Sequence, residues 1–243
     1  MQEPSDAEFG PMAMEIGKAG FYNEAYKRRN YFHYQSWLYG AYTSGLIAFS
    51  GLKKGASVLD VGCGQGFFSY LFSKNGMRVH GIDTSETGIR TAQKLYGHLG
   101  ITFAVSDIQT ATFPEQFDCI FVRSFSLYNT HAFPRKKEIT DSLLKHLKAG
   151  GSFIFAYNSN FSSKVSPTWR YHSLEDVRQH FSGYPNPELF FLNKITTYLL
   201  RKYSFTPIAK QFNVLLSKAS GIGGDVICIF RKSSCCSELD TGT

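Results

Sequence analysis

Short apolar runs alternate along this chain with longer segments whose apolar residues recur every three or four positions. Ser57–Val61, Arg78–Ile82, Ile101–Val105, Asp118–Val122 and Ser152–Tyr157 have the length and β-branched or aromatic content of buried strands. Between them, Phe67–Asn75, Glu86–Tyr96 and Pro134–Leu147 have helical spacing. Thr84 or Ser85 offers a cap for the second of these helices, and Gly150-Gly151 a stop for the third. Strands that alternate with helices in this way imply parallel βαβ units and an α/β, doubly wound sheet. Ahead of the alternation, Phe21 to Phe49 predicts two helices, the second carrying Trp37, Leu38, Ala41, Leu46 and Ile47. Behind it, Ser173–Phe181 predicts a helix and Leu189–Tyr203 reads as either state. Thr206–Leu215 and Asp225–Lys232 read as two closing strands, which makes the sheet seven-stranded and mostly parallel. Residues 1–20 and 234–243 are expected to be flexible, and no repeat or linker divides 21–233.

Composition narrows the class. With 26 basic and 19 acidic residues the net charge is +7, yet it is spread in small clusters such as Lys27-Arg28-Arg29, Lys53-Lys54 and Arg135-Lys136-Lys137. Such clusters read as solvated faces and argue against a nucleic-acid partner. The start of the chain has no secretory pattern, and no apolar run approaches the ~20 residues of a membrane span. Five cysteines form no metal or disulfide spacing, which suits a reducing, cytoplasmic setting and predicts no metal site and no membrane partner.

The candidate chemistry begins at DVGCGQGF, residues 60–67. In an open α/β sheet, ligands sit outside the carboxyl ends of the strands, and glycines there let backbone approach a ligand closely. Asp83 follows about twenty residues later at the end of the second strand, where a carboxylate accepts ribose hydroxyls. The dinucleotide fingerprint does not fit: Gly66 comes one residue early and Phe67 takes the position reserved for glycine. Asp60 would repel a pyrophosphate but suits a ligand with an ammonium. Together these favour an adenosyl amino acid over NAD.

VLDVGCGQG at residues 58–66 resembles the first motif of class I S-adenosylmethionine-dependent methyltransferases of the small-molecule type. Gly81-Ile82-Asp83, Ser106-Asp107-Ile108, the fourth strand from Phe117 and the turn from Leu147 to Phe153 resemble that family's later motifs. The resemblance covers roughly residues 55–158 and implies a Rossmann-like methyltransferase fold with S-adenosyl-L-methionine as cofactor and S-adenosyl-L-homocysteine as product. It implies that Asp60 meets the methionine ammonium and that the backbone of Gly62, Cys63 and Gly64 lines the methionine. Asp83 and Thr84 take the ribose, Asp107 and Ile108 the adenine, and Arg123 and Ser124 lie beside the reacting sulfur.

In related small-molecule enzymes, helices before the first strand fold over the cofactor. Residues 21–50 are therefore expected to form a helical lid, 55–158 the cofactor-binding core, and 159–233 the substrate side with the closing strands. The aromatic-rich stretch YKRRNYFHYQSWLYGAY, residues 26–42, belongs to that lid. Tyr22 is assigned to the cofactor, and Tyr26, Tyr31, Tyr34 and Arg123 to the substrate. His131 and His33 are candidate general bases, with the Tyr128 hydroxyl nearby. His80, His98 and His180 read as structural. No Asn-Pro-Pro-Tyr follows the fourth strand, Arg123 stands where a metal-dependent subclass has an acid, and no cysteine is placed as a nucleophile. The expectation by elimination is metal-independent methyl transfer to oxygen or nitrogen of a small molecule. Arg123, the 135–137 cluster and Trp169–His172 favour an anionic metabolite or sugar. An RNA or protein methyltransferase and a catalytically silent cofactor-binding module are the alternatives. The acceptor, the atom methylated, the number of methyl groups, the use of a base and the oligomeric state are left open.

Overall fold

The computed structural model describes residues 19–28, 30–129, 133–163 and 169–233. His131, Arg29, Cys235, Cys236 and most of the two terminal stretches lie outside the described residues. After a helical turn over 19–25, helix α1 (Ser36–Ser50) leads into β1 (Ser57–Val61), α2 (Phe67–Lys74), β2 (Arg78–Asp83), α3 (Glu86–Tyr96), β3 (Thr102–Val105) and β4 (Phe117–Arg123). Then follow α4 (Phe133–Leu144), β5 (Leu147–Asn158), α5 (Leu174–Phe181), β6 (Glu188–Leu192), α6 (Lys194–Leu200), α7 (Pro207–Ser220) and β7 (Asp225–Arg231). Seven strands form one sheet in the order β3-β2-β1-β4-β5-β7-β6. β7 runs antiparallel to both neighbours, and the pairs among β1 to β5 are parallel.

The central strands are mostly apolar because both faces are covered, with Asp60 in β1 a buried exception. Val58, Phe121 and Ile154 point into a cluster with Leu46, Phe68 and Phe72 from α1 and α2. The alternate residues Leu59, Ile120 and Phe155 pack against Leu143 and Phe181 from α4 and α5. Local signals set the helix ends. Ser85 caps α3 by accepting from the Gly88 amide, and Ser173 and Asp176 form a reciprocal capping box at α5.

Two expectations are corrected. Thr206–Leu215, read as a closing strand, is the start of α7. Thr206 accepts from the Ala209 amide and Pro207 takes the first helical position, where its fixed φ favours a helix. The missing strand is β6, taken from the ambiguous stretch, and Asn193 then caps α6. The helix expected to end at Gly150-Gly151 stops at Leu144, and both glycines lie inside β5, where the Gly150 amide donates to Lys232.

One buried polar cluster ties the N-terminal segment to the carboxyl end of the sheet. Arg123, the last residue of β4, donates from Nε and Nη2 to both carboxylate oxygens of Asp225, the first residue of β7, at 2.9 and 3.2 Å. Its Nη1 donates to the Tyr34 hydroxyl at 2.6 Å, and the Tyr42 hydroxyl of α1 donates to Asp225 at 2.8 Å. The guanidinium also lies 4.9 to 5.6 Å from the ring centroids of Tyr34, Tyr39 and Phe68. Removing one partner of such a pair leaves the other charge buried and alone, so Asp225→Ala is expected to destabilise by about 3–5 kcal/mol. Tyr42→Phe, which removes a single charge-assisted bond, is expected to cost about 1.5–3 kcal/mol. Urea unfolding midpoints at constant slope check both.

Candidate functional site

The turn from β1 into α2 is built on Gly62, Gly64 and Gly66, with φ of 73°, 52° and 79°. The amides of Gly62 and Cys63 donate to the Ile82 carbonyl at 2.8 and 2.9 Å, which fastens the turn to β2. Asp83 ends β2. One of its carboxylate oxygens accepts from the Gly64 amide and the other from the Ser85 amide, both at 2.8 Å. That carboxyl group therefore joins the glycine turn to the start of α3. Burial raises its pKa, and the Ser85, Gly64 and Thr84 amides oppose the rise. A carboxylate has about four lone-pair positions, so two amides leave room for a further pair of donors.

Asp60, one residue before the end of β1, is also buried and accepts from the Ser69 hydroxyl of α2. Burial pushes its carboxyl group up to about 7, the Ser69 hydroxyl bond opposes this, and the nearby Asp83 adds to it. Two buried carboxyl groups behind a rim of left-handed glycines make a cradle that favours a cationic, hydroxyl-bearing ligand.

The N-terminal segment covers this cradle. Asn23 accepts from the Ser85 hydroxyl and the Thr87 amide, pinning the helical turn over 19–25 to the start of α3. Gln65, inside the glycine turn, donates to the carbonyls of Tyr26 and Arg28 at 3.1 and 2.9 Å and accepts from the Tyr31 amide at 3.0 Å. Tyr26 is held against the turn. A Cβ at Gly64 would stand 2.6 Å from the Tyr26 hydroxyl, and one at Gly88 would stand 2.9 Å from its ring. Gly64 is thus required twice, by its φ and by the tyrosine above it. Tyr22 stacks on Tyr26 at 5.6 Å, and Tyr31 meets it edge-on at 6.0 Å. Phe125 lies on the other side of the turn, where a Cβ at Gly62 would come within 2.8 Å of its ring.

The structure thus gathers Tyr22, Tyr26, Asp60, Gly62, Cys63, Gly64 and Asp83 around the turn. Tyr26, expected on the substrate side, stands on the glycine turn itself. Thr84 and Asp107 are exposed at the same edge, and Asp107 accepts from the Gln109 amide at 2.9 Å. Ser106 donates its amide to the Asp83 carbonyl, which keeps the Asp107 loop beside the end of β2. Ile108 is buried with Val61 and Ile82. Ser124 adopts φ 47° and donates its hydroxyl to Asn158, joining the ends of β4 and β5.

Other expectations shift. Arg123 is spent on Asp225 and Tyr34, and burial pushes the Tyr34 hydroxyl up to about 12. Tyr128 is fully buried below the sheet, bonded to Thr140, with burial raising its phenol far above the usual range. The 3-10 turn over Ser126–Tyr128 swings it between Phe155 and His180, away from the glycine turn. His33 sits exposed in a loop with φ 51°. Lys136, expected on a basic patch, is buried, and Lys137 pairs with Asp141. Gln65, Asn23, Phe125 and Asp225 escaped sequence reasoning, since no motif marks them. Near the end of β5, the Tyr157 hydroxyl and the Trp169 indole N–H are buried without a hydrogen-bond partner among the described residues, and their rings stack at 5.8 Å. Unpaired buried donors of this kind point to a ligand or water that completes them.

Residues 52–202 match the family model described as a methyltransferase domain. Phosphoethanolamine N-methyltransferase 1 of Zea mays is 37% identical over 111 residues, covering 43% of this chain and 21% of that protein. Ubiquinone biosynthesis O-methyltransferase of Idiomarina loihiensis is 31% identical over 110 residues, covering 45% of each. The chain thus spans less than half the length of these curated relatives. Among solved structures, the N-methyltransferase NodS of Bradyrhizobium japonicum, crystallised with S-adenosylhomocysteine, aligns with a TM-score of 0.59 at 16% identity, over 87% of this chain and 96% of that one. The glycine turn, Asp60 and Asp83 all lie inside the matched segment, and the chain belongs to the methyltransferase-domain family, on the class I Rossmann-like fold.

Proposed function

We propose that this chain transfers a methyl group from S-adenosylmethionine to an oxygen or nitrogen of a small molecule in the cytoplasm, without a metal ion. The observation that carries this reading is the left-handed glycine turn, held by Asp83 and roofed by Tyr26. In it, Asp83 takes the ribose, Asp107 the adenine edge, and Asp60 the ammonium. Residues 21–50 act as the lid, 55–158 as the cofactor core and 159–233 as the acceptor side. The cofactor supplies an electrophilic methyl on a sulfonium. The protein's part is alignment and exclusion of water, and positioning of this kind contributes roughly 7–11 kcal/mol to such reactions. Tyr22, Tyr26 and Phe125 give the site its dry aromatic walls, and Tyr157 with Trp169 offers two donors to a polar group of the acceptor. Relatives named for N- and for O-methylation both occur, which keeps both acceptor atoms in the proposal. Arg123 and Lys136 are engaged inside the protein, so an anionic acceptor would draw on other groups. Two members of the basic clusters are paired locally, Lys27 with Glu24 and Lys137 with Asp141, which favours a small molecule over RNA.

Calorimetric titration with S-adenosylhomocysteine is expected to show micromolar binding that weakens at least about tenfold in Asp83→Asn. Gln65→Ala is expected to leave the melting of the sheet core in place. It should weaken binding and speed hydrogen exchange over 22–31, because three bonds to that segment are lost. Absence of binding to the folded wild-type protein would sink the proposal.

Asp60 sets a pH dependence. Its folded pKa, about 7, lies above the ordinary 3.8, so the folded protein holds a proton that the unfolded chain has released. Stability from this group is present below about pH 4 and declines as pH rises to 7, by at most about 4 kcal/mol. Denaturation of the ligand-free protein at pH 5 and 7 should show the decline, and Asp60→Asn should remove it. An ammonium ligand favours the ionised form, so binding is expected to release protons near pH 6 to 7, read from calorimetry in buffers of different ionisation enthalpy.

A further inference from the structure

Helix α7 is inside out. It buries Ala209, Asn213 and Ser217, a small and polar stripe, and exposes Ile208, Phe212, Leu215 and Leu216. Exposure reaches 81% at Ile208 and 67% at Leu215, so these side chains are not edge residues tucked against the core. The polar stripe faces inward for a reason: Asn213 bonds to Thr196 of α6 and to the Ala209 carbonyl, which locks the two helices together. The same lock leaves Ile195 and Leu199 of α6, four residues apart, on the outside. A surface helix normally does the opposite, and a contiguous apolar face of this kind marks a contact with something apolar.

Charge says what that contact is. From Asn193 to Gly224 the sequence contains five basic residues and no aspartate or glutamate. Lys194 donates to Tyr39 and Lys210 pairs with Glu188, while Arg201 and Lys218 are exposed. A second copy of this chain would bring the same positive charges onto themselves across a two-fold contact. Anionic headgroups over an acyl layer would meet both the charge and the apolar side chains. Amphipathic rings border the region: Trp37 is 60% exposed and packs edge-on against Tyr198 of α6, and Tyr203 is exposed in the turn between the two helices. Such rings favour the boundary between headgroups and acyl chains. Among the described residues no helix is long and apolar enough to cross a membrane, so the face lies on a bilayer rather than spanning it.

We propose that α6 and α7 seat this protein on a membrane surface carrying anionic phospholipid, with Ile208, Phe212, Leu215 and Leu216 entering the acyl boundary. The expectation of no membrane partner rested on the lack of a spanning segment and does not bear on this surface. Flotation of the intact chain with phosphatidylcholine vesicles, with and without phosphatidylglycerol, tests it. Binding is expected to the anionic vesicles, to fall with added salt, and to drop about tenfold or more in Ile208→Ser/Phe212→Ser/Leu215→Ser. The circular-dichroism melt of that variant should be unchanged, because the positions are exposed. A second variant, Arg201→Glu/Lys218→Glu, should weaken binding to anionic vesicles alone. Failure to float with anionic vesicles would overturn the proposal, as would equal, salt-independent binding to neutral ones. A lipid-free dimer in sedimentation that the triple substitution dissolves, without vesicle binding, would assign the face to a second copy instead.

Discussion

A guanidinium at the carboxyl end of the central sheet must be neutralised where it lies, and the way Arg123 meets that demand organises the molecule. Burial of an unpaired charge costs several kcal/mol even after relaxation. Asp225 supplies the opposite charge in bidentate geometry, Tyr34 and Tyr42 satisfy the remaining lone pairs and donors, and the rings of Tyr39 and Phe68 cover the flat faces. The pair joins β4 to the start of β7, and so sets where the antiparallel strand enters the sheet. It also fixes α1 and the loop before it against the edge at which a class I fold binds its ligand. An arginine can fill this role where a lysine cannot, because a planar fork serves two oxygens and a hydroxyl at once.

A few residues along the same edge, the problem is reversed. Asp60 and Asp83 are buried near each other and pair with no cation among the described residues; burial raises the pKa of both, and the Asp83 charge adds to the cost of ionising Asp60. The protein tolerates this through the Ser69 hydroxyl and the amides of Gly64 and Ser85. A ligand that brings positive charge and hydroxyl donors relieves the strain, whereas one that brings a phosphate adds to it. The proposed preference for an adenosyl amino acid over a dinucleotide therefore draws on charge as well as on the spacing of glycines. Tyr26 contributes by excluding water, which raises the weight of every charge beneath it.

The parts legible in the sequence are those encoded locally. A five-residue strand, a turn that needs left-handed backbone and a carboxylate at the next strand end all sit within 26 residues of one another, from Val58 to Asp83. The five parallel strands followed from that alternation; β6 came from a stretch that reads as either state. The pairing of Arg123 was not legible because its partner lies 102 residues away, and nothing near β4 announces Asp225. Tyr128 looked available because loop residues after a fourth strand often are; a single 3-10 turn put it under the sheet. Gln65 lies between two glycines of the motif and nothing in the sequence ties it to the N-terminal segment, although its amide group holds Tyr26, Arg28 and Tyr31. The error at α7 has a different origin. Its exposed apolar residues and buried polar stripe give no ordinary amphipathic helical pattern, and the stretch passes for a closing strand.

That error bears on how the surface and the site are connected. α6 begins at Lys194, whose ammonium donates to the Tyr39 hydroxyl at 3.2 Å, and Tyr39 lies against the Arg123 guanidinium. The inverted helix pair is thus joined, through Lys194 among other contacts, to the cluster that holds α1 and the loop before it. A surface that orders α6 would hold Lys194 on Tyr39 and, through it, favour the packed arrangement of Tyr34 and Arg123. The coupling requires no long pathway: Thr196 and Asn213 join the helices, Lys194 and Tyr39 join α6 to α1, and Tyr34 joins the cluster to the loop above the glycine turn. A face that binds lipid and a lid that closes over a methyl donor would then draw on one set of contacts, and an acceptor drawn from the membrane surface would arrive beside the edge where those contacts meet.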